Sequence, residues 1–316
     1  MTRLAAVAAL VSAALAGAAP PAAAQTPAGD LVVFNAGSLA KPFGDLLRAF
    51  VAAHPEVTPR QENSGSLEAA RKITELGKIP DVIGVADYGV IPKLLVPRHA
   101  TWYVTFARNA MVLAYTDQST GAAEITPDNW WRVLLRPGVR VGRADPALDP
   151  NGYRTLMVCR LAELFYREPG LAARLERAVP PRYVRPKEAD LTALVQAGEL
   201  DYAWSYYSIA KTAGLRFVDL PPEVDLSDPA RADWYARVKV RLPGATRAPA
   251  DSVTFVGEPI VYALTIPTGA PHPAAAAAFA RFVLSAEGRA ILARNGFVLP
   301  ASPELGGPGR PPVPLF

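Results

Sequence analysis

Cysteine is nearly absent. Cys159 is the only one, so the chain can form no intrachain disulfide and no cysteine-rich metal module. Histidine is almost as scarce. His54, His99 and His272 lie far apart, and none falls in an HxxxH or HExxH spacing. The pattern offers no zinc or haem motif, and no resident cofactor is expected. Charge of one sign is also missing: 33 basic against 29 acidic residues leave a net of +4. No Lys/Arg run is dense enough to read as a nucleic-acid stripe. Proline, by contrast, is plentiful at 32 residues, against an average share of about 5%. The prolines are scattered, so they punctuate a folded chain. The composition is 50% hydrophobic and 20% charged over 316 residues. That is a globular balance, with length enough for one large domain or two lobes.

Residues 1–24 read as a secretory signal peptide. Arg3 precedes an apolar stretch, Leu4 to Ala19, and Ala22-Ala23-Ala24 supplies a small-residue cleavage site before Gln25. The stretch is shorter than the ~20 residues a spanning helix needs, and no later segment is a transmembrane candidate. No cysteine follows it to carry a lipid. The expected product is an exported, periplasmic protein without stable membrane insertion.

Short apolar runs mark strands at Leu31–Phe34, Val82–Val85, Met111–Tyr115, Val139–Gly142, Tyr202–Tyr206, Arg216–Leu220 and Ile260–Ile266. Helical spacing joins Phe43, Leu46, Leu47, Phe50 and Val51, with a stop near His54-Pro55. Further helices are expected over 71–76, 156–165, 274–284 and 287–294, and one around Leu191–Val195 closed by Gly198. The tail from Pro300 reads as irregular. Alternating strands and helices argue for α/β layers with mostly parallel sheets.

Gly37-Ser38-Leu39 opens the first helix, and Gly65-Ser66-Leu67 opens the second. A helix N-terminus offers free N–H groups and a positive dipole end, and serine adds a small hydroxyl donor. Plain N-capping is the competing role for both serines. Two more helix starts carry acids: Asp149-Pro150-Asn151-Gly152 and Arg185-Pro186-Lys187-Glu188. Such acids commonly just stabilise helix ends. Aimed into an anion pocket, a carboxylate makes sense only toward a cation, or toward the central atom of an oxyanion whose shell can expand.

In order along the chain come Asn35-Ala36-Gly37-Ser38-Leu39, Asn63-Ser64-Gly65-Ser66-Leu67, Pro80-Asp81-Val82 to Tyr88, and Trp102-Tyr103 to Asn109. Asp128-Asn129-Trp130-Trp131, Asp149-Pro150-Asn151-Gly152-Tyr153-Arg154, Glu188-Ala189-Asp190-Leu191 and Gly198 to Tyr202 follow, then Tyr206-Tyr207-Ser208 and Pro259 to Tyr262. Together these resemble the tungstate/molybdate-binding proteins of ABC importers, in the class first associated with archaea. The resemblance implies a type II periplasmic-binding-protein fold, two α/β lobes around a ligand cleft. Lobe 1 would comprise residues 25–107 plus 255–316, and lobe 2 residues 108–254. It also implies an ABC permease and its ATPase as partners, and a monomer. Ser38, Ser66 and Tyr206 would supply hydroxyls, and Asn151 and Gly152 backbone amides. Asp149 and Glu188 would coordinate the Mo or W centre, since hard oxygen donors suit hard, high-valent centres.

Ser64 competes with Ser66 as donor, Asp145 competes with Asp149, and Glu258 has no assigned role. A carrier for another oxyanion, such as sulfate or thiosulfate, would use the serines and leave Asp149 and Glu188 as caps. An exported hydrolase is the remote alternative, since there is no GxSxG elbow and no histidine near either serine in sequence. Trp102, Trp130 and Trp131 read as packing residues, and Trp204 as a reporter of lobe closure.

Overall fold

A computed structural model describes residues 27–243 and 252–316, so the expected signal segment 1–24 lies outside the described residues. β1 (Gly29–Ala36) lies between β2 (Val57–Ser64) and β3 (Val82–Val85), parallel to both. α1 (Ala40–Ala53) leads from β1 to β2, and α2 (Ser66–Thr74) from β2 to β3. On α1, Phe43, Leu46, Leu47 and Phe50 recur at spacings of three and four, so they share one face, and all are buried. The helix stops at His54, because Pro55 disfavours the helical region for the residue before it. After a π-helical turn at Ile91–Leu95 the chain runs through β4 (Tyr103–Arg108).

Two residues later the chain enters a second sheet as β5 (Met111–Tyr115). It continues through α3 (Trp130–Leu134), β6 (Val141–Ala144), α4 (Pro150–Tyr166) and α5 (Leu171–Arg177). Then come β7 (Val184–Arg185), α6 (Glu188–Gln196), β8 (Tyr202–Tyr206), α7 (Tyr207–Thr212) and β9 (Arg216–Asp219). The strand order is β7-β6-β8-β5-β9, and the central strand β8 is buried at every residue. α8 (Ala232–Tyr235) precedes an antiparallel pair outside both sheets, β10 (Lys239–Pro243) and β11 (Ser252–Val256). Phe255 of this pair stacks on Tyr153 of α4, with centroids 4.5 Å apart.

β12 (Val261–Thr265) returns to the first sheet and inserts between β3 and β4, antiparallel to each. α9 (Pro273–Leu284) and α10 (Ala286–Arg294) pack on α1. β13 (Glu304–Gly306) pairs with β4 at the edge, giving the order β13-β4-β12-β3-β1-β2. Beneath this sheet Phe43 meets Phe106 at 5.9 Å and Phe279 edge-on at 6.0 Å.

Three expectations are corrected. The sheets are mixed rather than mostly parallel, because strands that cross from one sheet to the other arrive in the opposite direction. The tail past Pro300 is not wholly irregular, since β13 completes an edge. The strand expected at 139–142 lies at 141–144. Among the described residues no helix is long and apolar enough to cross a membrane.

Candidate functional site

In open α/β sheets, ligands bind outside the carboxyl ends of strands. Here β1, β2 and β3 from one sheet, and β6 and β8 from the other, end around one cleft. Three hydroxyls in it share a pattern. Ser38, in the 3-10 turn after β1, accepts from the Tyr262 phenol at 2.9 Å. Ser66, fully buried at the first position of α2, accepts from Ala86 N at 3.0 Å. Tyr206, at the end of β8, accepts from Arg154 Nη1 at 2.8 Å. In each case the scaffold fills an acceptor position, and none of the three donates to a described residue. Their protons remain free for a ligand oxygen. Ser64 is also buried, and its Oγ has no partner among the described residues.

Both carboxylates come from the second sheet's helices, as Tyr206 comes from its strand β8. Asp149 is the N-cap of α4, with Pro150 at the first helical position. Its Oδ1 accepts from Asn151 N at 2.9 Å, and its Oδ2 from Glu188 N at 3.2 Å, so one carboxylate caps α4 and α6 together. Glu188 is 3% exposed. Its Oε1 accepts from Tyr206 N at 2.6 Å and Ser205 Oγ at 2.7 Å, while Oε2 has no partner among the described residues. Burial pushes Glu188 up to about 8, and the neighbouring Asp149 charge pushes the same way. Burial raises Asp149 as well, against the two amides that bond it.

The amides expected as ligand donors are spent: Asn151 N on Asp149 Oδ1, and Gly152 N on the Asp149 carbonyl. What Asn151 offers instead is its buried side chain. Nδ2 donates to Trp204 O at 3.3 Å, and Oδ1 has no partner among the described residues. Gly152 has a packing role, since a Cβ there would lie 2.5 Å from the Asp145 and Pro146 backbone. Asp145 spends Oδ1 on Ala147 N inside its own turn. Trp204 is buried in the second sheet, edge-on to Trp130 at 5.6 Å.

The sequence reading missed the groups that tie the two sides together. Arg154, 2% exposed, donates from Nη1 to the Ala86 carbonyl at 2.9 Å as well as to Tyr206. Burial opposes its charge, but Tyr206, Tyr153 and Asp87 around it outweigh that, and the guanidinium stays charged. The adjacent Tyr153 donates its hydroxyl to Asp87 Oδ2 at 2.6 Å. Asn109, between β4 and β5, donates to Tyr262 Oη at 3.2 Å and to Ser208 Oγ at 2.7 Å. Gly65 lies so close to Leu148 O that a side chain would overlap it. The one available signal was a charged Arg154 followed by the apolar run Leu156 to Cys159. Glu258 lies outside this set, beside Asp87 and 3.9 Å from Lys93, and burial lifts it to about 7.

Neither Ser38 nor Ser66 is bonded to a histidine, and no cluster of three metal-ligating side chains occurs among the described residues. Burial raises the Cys159 thiol, as befits an inert core residue. The arrangement brings three hydroxyls with free protons and two carboxyl groups into one cleft.

Comparison with known proteins places the chain in a family. The solute-binding protein of Petrotoga mobilis, itself uncharacterized, is 46% identical over 268 residues, 85% of this chain and 83% of that one. The molybdate/tungstate-binding protein WtpA of Pyrococcus abyssi is 39% identical over 291 residues, 84% of this chain and 83% of that one. The periplasmic molybdate-binding protein of Azotobacter vinelandii matches in structure with a TM-score of 0.60 at 17% identity, over 85% of this chain and 99% of that one. The sulfate-binding protein SubI of Mycobacterium tuberculosis matches with 0.59 at 15%, over 85% and 86%. At such identities these two structures show the fold alone: the two-lobed one of periplasmic binding proteins. Residues 31–298 match the family described as bacterial extracellular solute-binding protein, and the chain belongs to that family.

Proposed function

We propose that this solute-binding protein captures tungstate or molybdate between its lobes and delivers it to an ABC permease with its ATPase. It would act as an exported, periplasmic monomer. The observation that carries the reading is the pairing of Asp149 and Glu188 in the same cleft as the free hydroxyls of Ser38, Ser66 and Tyr206. Hydroxyl donors alone would hold any oxyanion. Once ionised, two carboxylates in the same pocket repel one unless they reach a central atom that accepts further oxygen ligands, as Mo(VI) and W(VI) do and sulfur does not. Relatives named for molybdate and tungstate, from Pyrococcus abyssi and Thermococcus kodakarensis, support the same ligand.

A calorimetric titration with tungstate, molybdate, sulfate and phosphate tests this. Tungstate and molybdate should bind far more tightly than the other two, and an equal or stronger response to sulfate would refute the proposal. Asp149→Ala and Glu188→Ala should weaken tungstate much more than any residual sulfate binding. One observation favours a second reading: both carboxylates accept backbone amides, as simple caps would. On that reading the ligand is sulfate or thiosulfate, and both alanine variants leave selectivity unchanged.

A further inference from the structure

Arg154 is absent from the set of groups expected to touch the ligand, yet it is the most deeply placed cation in the cleft. It projects from α4 and is bonded by one nitrogen to two oxygens on opposite sides: Ala86 O beyond β3, and Tyr206 Oη on β8. The same residue, Ala86, donates its N–H to Ser66 Oγ. The backbone of one residue therefore links Arg154 to a hydroxyl on the first lobe, while the guanidinium bonds directly to a hydroxyl on the second.

A phenol has one proton and can accept as well as donate. Left alone, Tyr206 would sample both roles toward a ligand. An always-charged guanidinium at 2.8 Å is donor-only, so it claims the acceptor side of the phenol oxygen and turns the proton away from itself. Burial raises Tyr206 well above its ordinary value, so that proton is retained. We infer that Arg154 is a positioning residue, which aims the Tyr206 proton at a ligand oxygen. The inference rests on the oxyanion reading of the site. It adds that a fully deprotonated oxyanion is favoured over one carrying its own proton, because the oriented phenol can only donate to it.

The experiment compares tungstate and hydrogen phosphate binding at pH 8, by calorimetry, in the wild type, Arg154→Met, Tyr206→Phe and the double variant. The circular dichroism spectrum of each controls for folding. Each single variant should weaken tungstate tenfold or more, and the double should be no weaker than the worse single, as for two residues acting through one contact. In Arg154→Met the preference for tungstate over hydrogen phosphate should shrink at least tenfold, since the freed phenol can now accept. A purely structural role would weaken both ligands alike. Multiplying losses in the double variant, or an unchanged preference in Arg154→Met, overturns the inference. If Arg154→Met does not fold, Arg154→Lys keeps the charge without the planar fork, and the same comparison is made with Arg154→Lys/Tyr206→Phe. A wild type that binds neither anion overturns the oxyanion reading itself, and this inference with it.

Discussion

Glu188 makes a strong prediction about stability in the ligand-free protein. Its folded-state value is about 8, against an ordinary 4.5 in the unfolded chain. Below pH 4.5 both states hold the proton, so the residue costs nothing. Between 4.5 and 8 the unfolded chain has released it and the folded protein has not. Stability then falls as pH rises, by about 1.4 kcal/mol per unit, and levels off above 8. The window spans roughly three and a half units, so the loss totals on the order of 4–5 kcal/mol. That is a large share of the 5–15 kcal/mol typical of a whole domain. Glu188→Gln keeps an oxygen for Tyr206 N and Ser205 Oγ and removes the ionisation. Urea unfolding of both proteins at pH 5, 6, 7 and 8, without oxyanion, should show the wild type losing stability relative to the variant across the series. Two curves that stay parallel would refute the claim that this carboxyl group is held protonated.

Gly65 has ordinary extended backbone angles, φ −67° and ψ 151°, so only space demands a glycine there. Gly65→Ala should hold the lobes apart at Leu148, weakening ligand binding while urea unfolding changes little; scattering should report a larger radius of gyration at saturating ligand than in the wild type. Phe43, fully buried between Phe106 and Phe279, should cost about 3–5 kcal/mol as Phe43→Ala in a denaturant titration, without altering ligand selectivity. Trp204, whose carbonyl holds the Asn151 side chain, should change its emission on saturation with tungstate, and a Trp204→Phe variant should lose that change.

The strands most legible in the sequence were those buried on both faces. β3, β5 and β8 are buried at every residue, and β1 and β12 over most of their length, so each reads as a largely apolar run. β2, Val57-Thr58-Pro59-Arg60-Gln61-Glu62-Asn63-Ser64, escaped notice because it is an edge strand whose interior is exposed or half-exposed. β4 alternates half-buried and buried residues and starts within an aromatic-rich stretch. β13 exists only through its pairing with a strand some two hundred positions earlier, which no local pattern encodes. The site divides in the same way. Asp149 announced itself as a cap before Pro150, a local signal. That its second oxygen would take the amide of Glu188 depends on how β6, β7 and β8 align, and that is a property of the sheet. Arg154 was invisible as a bridge because both its partners are oxygens supplied by distant residues.

The insertion of β12 between β3 and β4 sets an order of events during synthesis. Every strand of the second sheet lies between residues 111 and 219. A chain growing from its N-terminus has that whole set in hand while the first sheet still lacks its central member. Until residue 265 is made, the β3 edge of the β2–β1–β3 set stays open and β4 has no neighbour on either side. The lobe that begins the sequence is therefore the last able to complete itself. Its apolar strand edges are the surfaces most in need of chaperone protection on a nascent chain.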